Sequence, residues 1–371
     1  MGKLSWLVSI NGVDRTSRVL SLSISQGRQS YRDNYSGGSI TCTIQNNDSF
    51  AGGITIGGQI TVTISGSGGP YQFDGWISSI EYQDAGGGVG LSTATITGVD
   101  DVGRLGRARI NGTTFTQALT TTQAVFQIPA SALNDVTMGS LGGGSSIAQA
   151  NTYTGSTLNY LNLLNATERG SIYTYLGQVI FVGRNGMANL PATTKSFGRN
   201  PATNVIGYKE FRRIAAGNQY ISTFTVSATG IADQTYENTT ATNTYGQGAD
   251  SSQTLDYNTT QALGNAQWMV NAFDDPNELR FEVDFTDLGN NDSDLYQIFA
   301  DCQIGAILPL SYRLPGAGSD VTVSVKIEGY RFSANPGQTI CTAYLSPATY
   351  YQFFTLNSST LGVLNTSRLG W

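Results

Sequence analysis

Apolar and polar side chains alternate through the first hundred residues, and this period of two limits the fold more than any other feature of the sequence. It runs through Leu20, Leu22 and Ile24, through Ile40, Cys42 and Ile44, and through Ile60, Val62 and Ile64. Successive side chains of a strand point to opposite faces, so each run predicts a strand with one buried face. Asn-Gly, Gly-Gly and Gly-Ser-Gly-Gly between the runs supply the turns that hairpins require. A sandwich or barrel follows.

Composition narrows the function. The chain has 371 residues, enough for two to three domains. Only 12% of its residues are charged, so Ser, Thr, Asn and Gln carry the task of keeping it in water. With 39% hydrophobic residues, 19 Tyr and 15 Phe, it is not a disordered chain. Histidine is absent, which removes the commonest general base and metal ligand and the Ser-His and Cys-His pairs. Cys42, Cys302 and Cys341 lie far apart without a C-x-x-C, so zinc and redox motifs fail, and Cys42 reads as a small core residue. The net charge of −6 argues against stable nucleic-acid binding, and Lys209, Arg212 and Arg213 read as a solvated face. No stretch has the length of a membrane span and no secretory leader is evident, so no membrane anchor is expected.

Along the chain, residues 1–105 form a first β unit closed by Asp100 to Leu105. Residues 106–195 form a small α+β domain. In it, Thr120 to Phe126 predicts a short helix and Thr157 to Glu168 a longer one ended by Gly170, followed by strands Ser171 to Tyr175 and Gln178 to Val182. Residues 196–345 form a second β unit with one helix over Thr259 to Phe273, whose Ala262, Ala266, Met269, Val270 and Phe273 make one stripe. Strands resume at Leu279 to Phe285, Val321 to Tyr330 and Thr339 to Leu345. Residues 346–371 are an aromatic-rich tail.

Several of these segments carry a resemblance. Gly12-Val-Asp14-Arg-Thr16-Ser-Arg18-Val19, Ser23-Ile24-Ser-Gln-Gly27-Arg28 and Thr43-Ile44-Gln-Asn46-Asn47 resemble the opening of tail-tip (baseplate) hub proteins, or minor tail proteins, of long-tailed bacteriophages. The likeness continues at Asp100 with Leu105, at Thr167-Glu168-Arg-Gly170, at Tyr175 to Arg184, at Ile327-Glu328-Gly329-Tyr330 and at Leu345-Ser346-Pro347. It ends in Phe353 to Asn357 and Leu361 to Gly370. Each motif is ordinary turn and strand chemistry; their collinear order over nearly the whole chain is what makes the match specific. Segments 127–156 and 229–258 align with nothing.

The resemblance implies a mainly β fold, with two tube-type β-barrels or sandwiches (1–105 and 196–345) flanking the α+β insert. It implies a structural virion protein assembled in the host cytoplasm: a homotrimeric, pseudo-six-fold ring around the DNA-ejection channel. Its partners would be the distal tail or tail tube protein, the tape measure protein and a central fibre or spike, with DNA passing without specific binding. Neither enzyme activity, cofactor nor metal is implied. A distal tail protein, six copies to a ring, is the nearest alternative, and a carbohydrate-binding adhesin a more distant one.

Other readings are weaker. Asp284, Asp287, Asp292 and Asp294 cluster, but counting from Asn290 puts Leu295 and Asp301 where an EF-hand needs Gly and Glu. Paired carboxylates suffice for a glycosidase, yet no lysozyme-like helical segment surrounds any here. Tyr350, Tyr351, Phe353, Phe354 and Trp371 either fold back on the last β unit or form a partner interface. Trp6, Trp76 and Trp268 read as core.

Overall fold

The computed structural model describes residues 5–46, 53–65, 71–84, 92–141, 144–175, 177–184, 193–215, 219–276, 279–286, 298 and 302–348. The first unit contains β1 (Ser5–Ile10), β2 (Val13–Asp14), β3 (Val19–Gly27), β4 (Ser39–Gln45), β5 (Gln59–Ser65), β6 (Tyr71–Gln83) and β7 (Thr93–Val99). They pair antiparallel in the order β3-β4-β7-β6-β5-β1-β2. Val8, Ile10, Leu22, Ile24, Ile40, Cys42, Ile44, Ile60, Val62, Phe73 and Ile96 are buried on one face, as the alternation requires. On the other face Ser21, Ser23 and Ser25 stand beside Thr43, Thr41 and Ser39, and Thr43 and Thr41 beside Thr95 and Thr97. That face is a hydroxyl surface.

Leu20 departs from the expected pattern. The β3–β4 register shifts between Val19 and Ser21, a β-bulge that adds one residue to β3. Val19 therefore turns inward with Leu22, and Leu20 is 36% exposed. Ile64 lies in β5, but its side chain is outside the described set.

The middle segment opens with α1 (Asp101–Arg107), followed by β8 (Arg109–Phe115) and β9 (Ala118–Leu119). The expected short helix is a turn at Thr120–Thr122 running into a wider π turn at Gln123–Gln127. Next come β10 (Met138–Leu141), β11 (Ile147–Ala148), β12 (Asn151–Ser156), α2 (Thr157–Glu168), β13 (Ser171–Tyr175) and β14 (Gln178–Val182). The Ser156 hydroxyl caps α2 by accepting from Asn159 N. The left-handed residue that stops α2 is Arg169 (φ 58°), not Gly170. Tyr160, Leu161 and Leu164 on α2 pack with Leu105, Ile110, Phe115 and Phe181 into a core separate from that of the β units.

The remaining elements are β15 (Ser196–Gly198), β16 (Val205–Gly207), β17 (Glu210–Ala215), β18 (Thr223–Ala228), β19 (Gln234–Glu237), α3 (Thr239–Tyr245), β20 (Ala249–Thr254), α4 (Thr259–Phe273), β21 (Leu279–Thr286), β22 (Ile307–Tyr312), β23 (Val321–Asn335) and β24 (Gln338–Pro347). Here β17, β21, β24, β23, β22, β15 and β16 follow one another in a sheet. The order β19-β18-β20 makes a separate three-stranded sheet, against which α4 packs. The whole predicted stripe of α4 is buried.

One strand joins the two β units. β23 is 15 residues long, and its N-terminal half pairs with β22 while Gly329–Ala334 pairs with β3. β24 occupies its other edge. Both units therefore belong to a single fourteen-stranded sheet, and among the described residues no ladder closes on itself. The crossover from β22 to β3 is tight. A Cβ on Gly27 (φ +77°) would overlap the Glu328 carbonyl and lie 2.7 Å from Gly329 Cα. A Cβ on Gly329 would lie 2.7 Å from the Arg28 carbonyl oxygen. Backbone meets backbone there, so no side chain can yield.

Gly27→Ala and Gly329→Ala should each destabilise the chain by about 3 kcal/mol or more, as steric and backbone strain in a core does. Gly53→Ala, with open space at its Cβ, should stay within about 0.5 kcal/mol. Urea unfolding of the three variants measures the difference.

Candidate functional site

The crossover between the units brings three buried charged side chains together. β23 shifts register between Ile327 and Gly329, so Glu328 is a bulge residue, and its side chain is fully buried. Arg28, which follows β3, donates from Nε to Glu328 Oε2 at 2.8 Å, and its backbone N donates to the Glu328 carbonyl at 3.0 Å. The guanidinium carbon lies 4.5 Å from the Tyr31 ring centroid and 4.3 Å from that of Tyr35. Lys326 Nζ is 3.8 Å from the same Glu328 oxygen and donates to Ser171 Oγ of β13 at 3.0 Å. The three charged residues thus bind β3, β23 and the α+β domain at one point.

Burial is the dominant influence on Lys326. It pushes the ammonium down to about 7 from an ordinary 10.5; Glu328 opposes this and Arg28 reinforces it. Burial likewise pushes the Tyr31 phenol up to about 12. One carboxylate faces two cations, and the proton on Lys326 is the weakest held.

The other motif residues are structural anchors of the same kind. Asp100 caps α1: Oδ1 accepts from Gly103 N at 2.9 Å and from Gly38 N at 2.8 Å, and Oδ2 accepts from Thr174 Oγ1 at 2.9 Å. Glu168, at the end of α2, accepts from Ser145 N, Ser146 N and Arg184 N at 2.9 Å each and from Thr120 Oγ1 at 2.6 Å. Thr16 Oγ1 accepts from Val8 N at 2.9 Å, tying the β2 turn to β1. These carboxylates hold backbone donors of loops, whose desolvation must otherwise be left uncompensated.

The structure brings together Gly27-Arg28 and Glu328-Gly329, two motifs 300 residues apart in the sequence. The sequence reading missed that contact, and also Lys326; the signal for it was charge inside an otherwise apolar strand. Cys42 is core, as expected. Trp268 is buried, whereas Trp6 and Trp76 are only half-buried, with Trp76 Nε1 donating to Asp101 and its ring 4.1 Å from the Arg104 guanidinium. Lys209, Arg212 and Arg213 are exposed, and Arg212 pairs with Glu282 at 3.0 Å. Asp284 accepts from Thr342 Oγ1 at 2.6 Å. Asp287, Asp292, Asp294, Tyr350, Tyr351, Phe353, Phe354 and Trp371 lie outside the described residues. Among those described, no three Cys, Asp or Glu gather as a metal cluster, and no helix is long and apolar enough to cross a membrane.

Glu328→Gln removes a carboxylate charge that faces two buried cations. Stability should fall by about 3–5 kcal/mol, the cost of breaking a buried pair. Lys326 gives a pH signature with a definite sign. Between about pH 7 and 10.5 the unfolded chain holds a proton at Lys326 that the folded chain has released, so stability rises with pH across that window. Below it the cost of burying the ammonium is felt in full. Lys326→Met should flatten this rise in denaturation midpoints taken from pH 6.5 to 9.5.

No protein-family model matches the sequence, and no curated protein matches it. Solved structures do match in fold. The 43 kDa tail protein of prophage MuSo2 from Shewanella oneidensis superposes with a TM-score of 0.63 at 12% identity, over 92% of this chain and 97% of that one. The tail protein from Neisseria meningitidis MC58 gives a TM-score of 0.63 at 12% identity, over 94% and 98%. The E. coli c3393 protein, a component of the type VI secretion system similar to the T4 tail proteins gp27 and gp5, gives 0.51 at 9% identity, over 92% and 76%. The fold is that of phage tail proteins, mainly β with a smaller α+β part.

Proposed function

We propose that this chain is a structural tail protein of a phage-like particle, a tail-tip hub whose subunits form a three-fold ring. The observation that supports this best is the β23 junction. It fuses two β units into one sheet with no linker between them, so a subunit places two β units at a fixed mutual angle. Three such subunits would present six β units, matching six-fold symmetry on one side of the ring and three-fold on the other. The near-complete overlap with two tail proteins agrees with this reading. A distal tail or tube ring would then sit above, a fibre or spike below, and the tape measure protein would end at the hub.

The role is architectural rather than catalytic. Buried carboxylates at 100, 168 and 328 are engaged by structural donors. The hydroxyl face of β3, β4 and β7 neither attracts nor repels a polyanion, and it suits a wall along which DNA slides.

Electron microscopy and native mass spectrometry of the assembled purified protein test the proposal. The expected result is a closed ring of three chains with six β densities about the axis. A ring of six chains would instead make it a distal tail protein, and a persistent monomer that binds glycans would make it an adhesin.

A further inference from the structure

A cleft of about 680 Å³ opens between α2, β20 and the loop after β3, and Arg169, Asn162, Asn165, Asp250, Gln253 and Arg32 are among its walls. Arg169 is its unusual member. It is 8% exposed, donates from Nη2 to Ser252 Oγ at 3.1 Å and stands 5.5 Å from the Phe224 ring centroid, while its Nε has no partner. No described carboxylate lies within ion-pair distance of it, in contrast to Arg28 with Glu328. The neighbouring Asp256 is occupied by donors from Thr254, Gln261 and Asn265. Burial lowers the Arg169 pKa from its ordinary value, as it must for a cation short of a counter-ion.

The rest of the wall is complementary to peptide. Asn162 and Asn165 are three apart on α2 and share one side of the helix, and Arg169, which stops it, lines the same cleft. The Oδ1 atoms of both asparagines are buried acceptors with no donor. Opposite them, β20 is an edge strand: it pairs with β18 alone among the described residues, and Asp250, Ser251 and Gln253 are exposed. An edge strand offers backbone donors and acceptors to an added strand.

We propose that this cleft is a docking site for an extended acidic polypeptide segment of a neighbouring protein. The segment adds to the free edge of β20, its amides donate to Asn162 and Asn165, and a carboxylate takes Arg169 as a charge-assisted pair. Sugar hydroxyls would satisfy the two amides but would leave the guanidinium without its counter-charge, which is why a carboxylate is favoured.

The test uses the purified full chain and a fluorescein-labelled peptide, acetyl-(Thr-Glu)3-amide, with acetyl-(Thr-Gln)3-amide as its neutral counterpart, read by fluorescence anisotropy. The acidic peptide should bind at least tenfold more tightly. Arg169→Gln should abolish that preference, and joint Asn162→Ala and Asn165→Ala should weaken both peptides. Thermal unfolding checks that the variants fold. Should Arg169→Gln fail to fold, Arg169→Lys, which keeps the charge and loses the fork, should reduce the preference. Equal affinity for the two peptides, no binding at millimolar concentration, or a preference untouched at Arg169 would overturn the proposal. Displacement of the peptide by maltohexaose, itself binding more tightly, would also overturn it and make this a sugar site. Binding to the isolated chain is independent of ring symmetry, so either proposal can fail alone.

Discussion

Everything in this molecule is arranged around one strand that changes partner halfway. The edge of β23 belongs to β22 over its first six residues and to β3 from Gly329 onward. Between those two stretches lies the bulge at Glu328, which shifts the register of the β23–β24 ladder on the opposite edge. The bulge aims a carboxylate into the interior, where an unpaired charge is not tolerated. Arg28 and Lys326 are the physical consequence. Gly27 and Gly329 are the steric one, since β3 can approach the bulge only where neither backbone carries a Cβ.

That junction also helps to orient the α+β domain, whose Tyr173, Ile180 and Val182 pack into the core of the β units. Lys326 reaches Ser171, Thr174 reaches Asp100 at the start of α1, and Asn162 of α2 donates to the Tyr35 carbonyl at 3.2 Å. These contacts are polar and specific, and each pairs a group that burial would penalise if it were left alone. They fix orientation more than they add stability, because a buried ion pair gains little over apolar packing but costs a great deal when half of it is missing. The proposed ring would need that property, since closure depends on angles held constant from copy to copy.

Local structure was legible in the sequence wherever one physical signal dominated. Both long helices carry an apolar stripe and a capping side chain, Ser156 or Asn258, and fall over the residues predicted. The α1 helix was read as the closure of a β unit because Gly103 and Gly106 are poor helix formers and Asp100 was its only signal. Segment 229–258, which aligned with nothing, holds α3, a Thr- and Asn-rich helix with only Ala241 buried and so without an apolar stripe to mark it. Leu20 was misplaced because alternation presumes an unbroken ladder, which a bulge invalidates without changing composition. The β3–β23 pairing was illegible in principle: alternation tells which face of a strand is buried, not which distant strand lies beside it. Only Lys326 and Glu328, two charges in an apolar run, marked where such a partner had to be.

The scarcity of charge has a structural meaning beyond solubility. Arg28, Glu168, Arg169, Arg184, Lys326 and Glu328 are buried, so a notable share of a small charged complement is committed to the interior. The outer face of β3, β4 and β7 is left to Ser and Thr, and hydroxyls meet across the β4–β7 and β18–β19 ladders, as between Thr43 and Thr95 and between Thr225 and Thr235. Interactions of such a surface are short-ranged and little screened by salt, whereas a charged surface would bind or repel over about a Debye length of 8–10 Å. In the proposed ring, contacts made through that face would rest on shape and hydrogen bonding rather than on electrostatic steering. The same scarcity of charge leaves Arg169 conspicuous: this buried guanidinium donates to Ser252 but has no described carboxylate within ion-pair distance.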